Sequence, residues 1–98
     1  MSPPRIRVTA HATDRFLRRS GMHISREQCS AVIRHAVETN EWLPDNNPHQ
    51  SLVAMLVENR ELYLVVIENE DHIAVVTVLT AAQVLSTRIN GWAPGSRV

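Results

Sequence analysis

Three stretches rich in Val, Ile, Leu and Tyr follow one another at residues 51–58, 61–68 and 72–79, parted only by Asn59-Arg60 and by Asn69-Glu70-Asp71. Connections this short join strands that are antiparallel neighbours, because a parallel pairing needs a crossover of a dozen residues or more. A meander is therefore predicted. Its last run, Ile73-Ala74-Val75-Val76-Thr77-Val78-Leu79, is almost continuously apolar. Such a run suits a strand in the middle of a sheet, covered on both faces. Whatever precedes residue 51 must then cover at least one face of that sheet.

The preceding segment has helical character. Thr9 stands ahead of Ala10-His11-Ala12-Thr13-Asp14-Arg15-Phe16-Leu17-Arg18-Arg19. A threonine hydroxyl there can cap a helix whose buried side is Phe16, Leu17 and Ala12. Ser20-Gly21 ends it, glycine being the residue that accepts a left-handed C′ position. Ser25-Arg26-Glu27-Gln28 has the form of a capping box. Behind it Cys29, Val32, Ile33, Ala36 and Val37 recur at helical spacing up to Thr39-Asn40. Arg5-Ile6-Arg7-Val8 alternates like a short half-buried strand, and Glu41-Trp42-Leu43 reads as a short extended piece before the loop Pro44-Asp45-Asn46-Asn47-Pro48. Thr80-Ala81-Ala82-Gln83 is a second capping box, opening a short helix to about Arg88.

Helices first and a meander after them define a segregated α+β domain: two N-terminal helices on one face of an antiparallel sheet of three to four strands, with a short C-terminal helix. The 98 residues suffice for one core. Residues 1–4 and 91–98 read as tails, with Trp92 a candidate to fold back onto the body. No run approaches the ~20 apolar residues of a membrane span. No basic segment followed by an apolar one suggests a secretory leader. The single Cys29 suits a reducing compartment, so a cytoplasmic location is expected.

Net charge is zero but unevenly spread. Residues 1–35 carry seven arginines against Asp14 and Glu27, whereas residues 36–75 carry eight acids against Arg60. A basic N-terminal pole suits a phosphate-contacting surface, and also a plain solvated helix face. All ten basic residues are arginine, so an anion site here would be built from planar donor forks.

Candidate chemistry narrows quickly. The five histidines (His11, His23, His35, His49, His72) include no pair at the spacing that puts two metal ligands on one helix face, and Cys29 has no cysteine partner. No metal or cofactor is expected. Cys29 falls on an apolar stripe, where a thiol is inert. There is no strained nucleophile elbow and no glycine-rich phosphate loop. What is left is His11 and Arg15, one helical turn apart, with Arg18 and Arg19 a further three and four residues on. Arginines at those positions would hold a phosphodiester while His11 moves a proton, with no metal needed. The alternative is structural: His11 orders the helix start, and Arg15 pairs with Glu27 or an acid of the sheet.

The string Val8-Thr9-Ala10-His11-Ala12-x-x-Arg15-Phe16-x-x-Arg19, a Ser-capped second helix and the strand Val75-Val76-Thr77-Val78-Leu79 together resemble a family of small bacterial and phage proteins known as a domain of unknown function. That family is similar to the RelE-, barnase- and colicin-like ribonuclease fold, two helices over a four-stranded antiparallel sheet. The resemblance covers about residues 6–80. It implies a metal-independent, toxin-like endoribonuclease in a bacterium or, if phage-encoded, its host. His11 would be the acid or base, Arg15 the phosphate clamp and Arg19 a further phosphate contact. Thr77 or Thr80, at the end of the last strand, would donate to phosphate or substrate.

Two readings therefore stand. One is an RNA-cleaving enzyme, with RNA as substrate and an antitoxin or host target as protein partner. The other is a non-catalytic phage or mobile-element accessory that binds a host protein through its acidic sheet or an edge strand. The bipolar charge also suits a homodimer. The enzyme needs His11 and Arg15 exposed together, with Thr77 or Thr80 in reach.

Overall fold

In the computed structural model, residues 5–45 and 47–85 are described. The elements run β1 (Arg5–Val8), α1 (Ala10–Ser20), α2 (Arg26–Thr39), β2 (Trp42–Pro44), β3 (Gln50–Val57), β4 (Arg60–Glu68), β5 (His72–Thr80) and α3 (Ala81–Val84). The class is α+β, and the meander of β3, β4 and β5 forms with the predicted strand neighbours. The expected tails at 1–4 and 91–98, the expected packing of Trp92 and the expected continuation of the C-terminal helix to about Arg88 fall outside the described residues.

The sheet departs from the expected one in size and direction. It has five strands in the order β1-β5-β4-β3-β2 and is mixed, because β1 pairs with β5 in parallel, Arg5 beside His72 through Val8 beside Val75. The α1, α2, β2, β3 and β4 segments together form the long connection that a parallel pair requires. β2 adds the opposite edge, antiparallel to β3. Both extra strands are too short for their own pattern to reveal a partner.

Alternation divides the sheet into two faces. Val53, Val57, Leu62, Leu64, Val66, Ile73, Val75 and Val78 turn towards the helices and meet Ala12 and Phe16 of α1 and Cys29, Ile33, Ala36 and Val37 of α2. Phe16 and Ile33 are fully buried there. Each contributes roughly 2–3 kcal/mol by removal from water. The other face carries Leu52 and Val65, flanked by Leu43, Tyr63, Val76 and Leu79 and covered in part by Val84 of α3.

The helix termini form as their sequences dictate. The Thr9 side chain accepts from the Ala12 N–H, and Gly21 ends α1 at φ 73° in the left-handed region. Both capping boxes form, Ser25 with Gln28 and Thr80 with Gln83. The β3–β4 hairpin turns through Glu58 and Asn59, both at positive φ, with Val57 opposite Arg60. That is the two-residue loop whose twist matches the strands.

Candidate functional site

The first turn of α1 is seated by Thr9. Its N–H donates to the Val75 carbonyl at 3.2 Å, and its hydroxyl donates to the same oxygen at 3.0 Å. The N-terminus of α1 thus begins where β1 ends, against the middle of β5. Ala12, Thr13, Phe16 and Ser20 form the buried side of α1. Helical geometry then sends His11, Asp14, Arg15 and Arg18 to the outward side. His11 and Arg18 are exposed, and Arg15 is half-buried.

α2 packs beside this surface and adds a cation that the sequence reading passed over. Arg26 meets Asp14 through Nη1 at 2.6 Å and reaches the Ala10 carbonyl through Nη2 at 3.5 Å. The hydrogen bond and charge of Arg26 hold the Asp14 carboxyl below its ordinary value, with smaller help from Arg18 and His11. Asp14 is therefore an anion surrounded by cations, and the surface stays basic around it. The side chains of His11, Arg15 and Arg18 make no hydrogen bond or ion pair among the described residues.

Arg19 has a different role. Its Nη1 donates to Gln83 Oε1 at 3.2 Å, and its carbonyl accepts from Arg60 Nη1 at 3.2 Å. Its Nε is buried with no hydrogen-bond partner among the described residues. Gln83 Oε1 also accepts from the Thr80 N–H at 2.9 Å, and the Thr80 hydroxyl accepts from the Gln83 N–H at 3.3 Å. Arg19, Gln83 and Thr80 thereby tie α1 to the end of β5, and both Arg19 and the Thr80 hydroxyl are spent on that tie.

Thr77 stands apart from the α1 surface. A bulge leaves Val66 opposite Val75 but Val65 opposite Thr77, so Val76 has no facing residue on β4. Cross-strand partners share a face. Thr77 accordingly lies with Val65 on the side of the sheet away from α1. The structure brings together His11, Arg15 and Arg18, joins Arg19 to Thr80 further along, and separates Thr77. Val76-Thr77 contains no glycine or proline to announce the bulge.

The remaining titratable candidates are accounted for elsewhere. Cys29 is fully buried, its thiol 3.9 Å from the Thr13 carbonyl, and burial pushes its pKa up. His72 contacts Asp71 through Nδ1 at 2.8 Å and Asn69 through Nε2 at 3.2 Å. Among the described residues no group of three or more His, Cys, Asp and Glu side chains is placed to hold a metal ion. None of the described helices is long and apolar enough to cross a membrane.

The fold and site together define an α+β domain with an arginine-rich helix surface centred on one histidine. No family model, curated protein or solved structure matches the chain.

Proposed function

We propose that this protein is a metal-independent endoribonuclease, toxin-like in character, that acts on an RNA phosphodiester at the exposed surface of α1. The observation that carries the reading is the state of His11 and Arg15. They lie one turn apart on the outward side of α1, and neither is paired with another described residue. A guanidinium held at a fixed spacing from an imidazole suits an in-line transfer at phosphorus. His11 takes the ribose 2′-OH proton, and the 2′-oxygen attacks the adjacent phosphorus. The P–O5′ bond breaks, and the leaving oxygen receives a proton from water, giving a 2′,3′-cyclic phosphate and a 5′-hydroxyl. Arg15, with Arg18 beside it, neutralises the charge that builds on the non-bridging oxygens. Thr77 lies on the far face and Thr80 is engaged by Gln83, so neither supplies the threonine contact expected of such a site. The proposed chemistry rests on His11, Arg15 and Arg18, with Arg19 and Thr80 holding α1 against β5.

A second reading, a non-catalytic accessory that binds a protein partner, is favoured by one observation. Leu56 on β3 is 72 % exposed and faces Glu61 across the hairpin, an apolar and acidic pair at the surface.

The test is cleavage of total RNA in EDTA by the wild-type protein, His11→Ala and Arg15→Ala. The expected result is cleavage to cyclic-phosphate ends by the wild type and a loss of about 10²-fold or more in each variant. Intact RNA after incubation with folded wild-type protein at high concentration overturns the enzyme and leaves the partner-binding reading.

A further inference from the structure

β1 is an edge strand, and its free side is lined differently from the rest of the molecule. A groove of about 340 Å³ runs along it, bounded by Arg5, Ile6, Arg7, Val8, Arg34, Asp71 and His72. Arg5 and Arg7 are exposed and stand on the same side of the strand. Their separation along it is about 6.6 Å. Neither side chain makes a hydrogen bond or ion pair among the described residues, although the charge of Arg5 is felt weakly by Asp71. Asp71 is the one carboxylate in the lining, and it is engaged with His72 at 2.8 Å.

Arg34 decides what kind of ligand such a groove can take. Its Nε donates to the Ile6 carbonyl at 3.3 Å. Thr9 bonds inward to Val75, so by the alternation of a strand Ile6 directs its backbone groups outward, away from β5. The Arg34 guanidinium therefore occupies the position that an added peptide strand would need, which is one way natural sheets block an edge. With strand addition obstructed, the groove offers three guanidinium groups and little backbone. That is a lining for a polyanion.

Its position relates it to the α1 surface. Arg26 and Arg34 are eight residues apart on α2, about 12 Å along one side of the helix. Arg34 holds Ile6 and Arg26 reaches Ala10, so the two span the segment that leads from the groove to His11. Ile6 and Val8 turn towards the helices, so Arg5 and Arg7 project on the opposite face of the sheet. The groove wraps over the β1 edge to Arg34, from which α2 leads on to Arg26 and the start of α1.

We propose that the Arg5–Arg7–Arg34 groove is a phosphate subsite that holds the backbone of a single RNA strand beside the phosphate placed at His11 and Arg15. The proposal rests on the ribonuclease reading for what happens at His11, but binding in the groove is measured without cleavage. The experiment is fluorescence anisotropy with a labelled 2′-O-methyl oligoribonucleotide, which lacks the attacking hydroxyl. The wild-type protein is compared with the double variant R5A/R7A and with R5K/R7K over a range of salt. Both positions are exposed and unpaired, and circular dichroism of each variant verifies the fold. Loss of two phosphate contacts lowers the slope of log K against log salt by about 1.4, and weakens binding roughly tenfold or more at low salt. The lysine variant retains most of the affinity.

Unchanged affinity and slope in R5A/R7A overturn the subsite, whether or not the wild-type protein cleaves RNA. Binding that weakens in R5A/R7A while the wild type cleaves nothing supports the groove and removes only the catalytic reading. Tighter binding of a poly-glutamate peptide than of the oligonucleotide, lost in R5A/R7A, overturns the proposal in favour of an acidic protein partner.

Discussion

Thr9 and Val75, 66 positions apart, are joined twice, once through the Thr9 N–H at 3.2 Å and once through its hydroxyl at 3.0 Å. The same hydroxyl accepts from the Ala12 N–H at 3.1 Å. One side chain thus caps α1 and anchors its first turn to the central part of the sheet, which sets where His11 projects.

Thr9→Ala removes the cap and leaves the carbonyls of Val75 and Val76 with one donor fewer. The expected cost is about 1–2 kcal/mol. For a chain of this size that is a fall in Tm of roughly 4–16 °C. Thr9→Ser keeps the hydroxyl and should recover most of the loss. Thermal denaturation of both variants checks this, and equal losses in the two would show that the hydroxyl is not what stabilises the junction.

The β3–β4 turn places Glu58 at φ 48° and Asn59 at φ 69°. Glutamate is a poor occupant of that region, whereas Asn-Gly is the pair such a turn favours. Glu58→Asn combined with Asn59→Gly should stabilise the protein by about 1 kcal/mol. Chemical denaturation measures it as a higher midpoint at unchanged slope.

Asp14 titrates below the ordinary carboxylate range because Arg26 bonds to its charged form. A folded-state pKa lower than the unfolded one gives stability that is present above the unfolded value, near 4, and is lost as pH falls through the folded value. Because the pair is exposed, the effect on stability is small. The direct measurement is an NMR titration of the Asp14 carboxyl carbon. The midpoint should lie below that of a free aspartate and move up in Arg26→Ala. A midpoint indifferent to that substitution would mean that the ion pair does not persist in solution.

What could be read from the sequence was whatever is encoded locally. As helix caps, Thr9, Ser25, Thr80 and Gly21 act within a few residues of themselves, and each ends or begins a helix as its chemistry requires. The bonds of Thr9 to Val75 were not legible in the same way. The meander was legible because its turns are short and its strands adjacent. The parallel pairing of β1 with β5 was not, since four residues carry no information about a partner more than sixty positions away.

The candidate surface divides in the same way. His11, Arg15 and Arg18 share a side of α1 because helical spacing alone puts them there. Thr77 was named with Thr80 only through the family resemblance, and a bulged residue leaves it paired with Val65 on the face away from α1. Arg19 and Thr80 were both read as substrate contacts, and both turn to Gln83 instead. Arg26 and Arg34 were visible only as charge. Their eight-residue spacing on α2 was the available signal, and it acquires meaning once α2 is known to lie along β1.

The parallel pairing has a consequence for how the molecule comes into being. β1 and α1 leave the ribosome first, but Arg5 to Val8 have nothing to pair with until His72 to Val75 have been made. At about 5–20 residues per second, that is a wait of roughly 3–13 s. The hairpins close with local partners, whereas the strand leading into His11 docks through contacts of the greatest sequence separation in the fold, the kind that form slowly. A nascent chain therefore carries the residues of the α1 surface long before β5 is made to seat them.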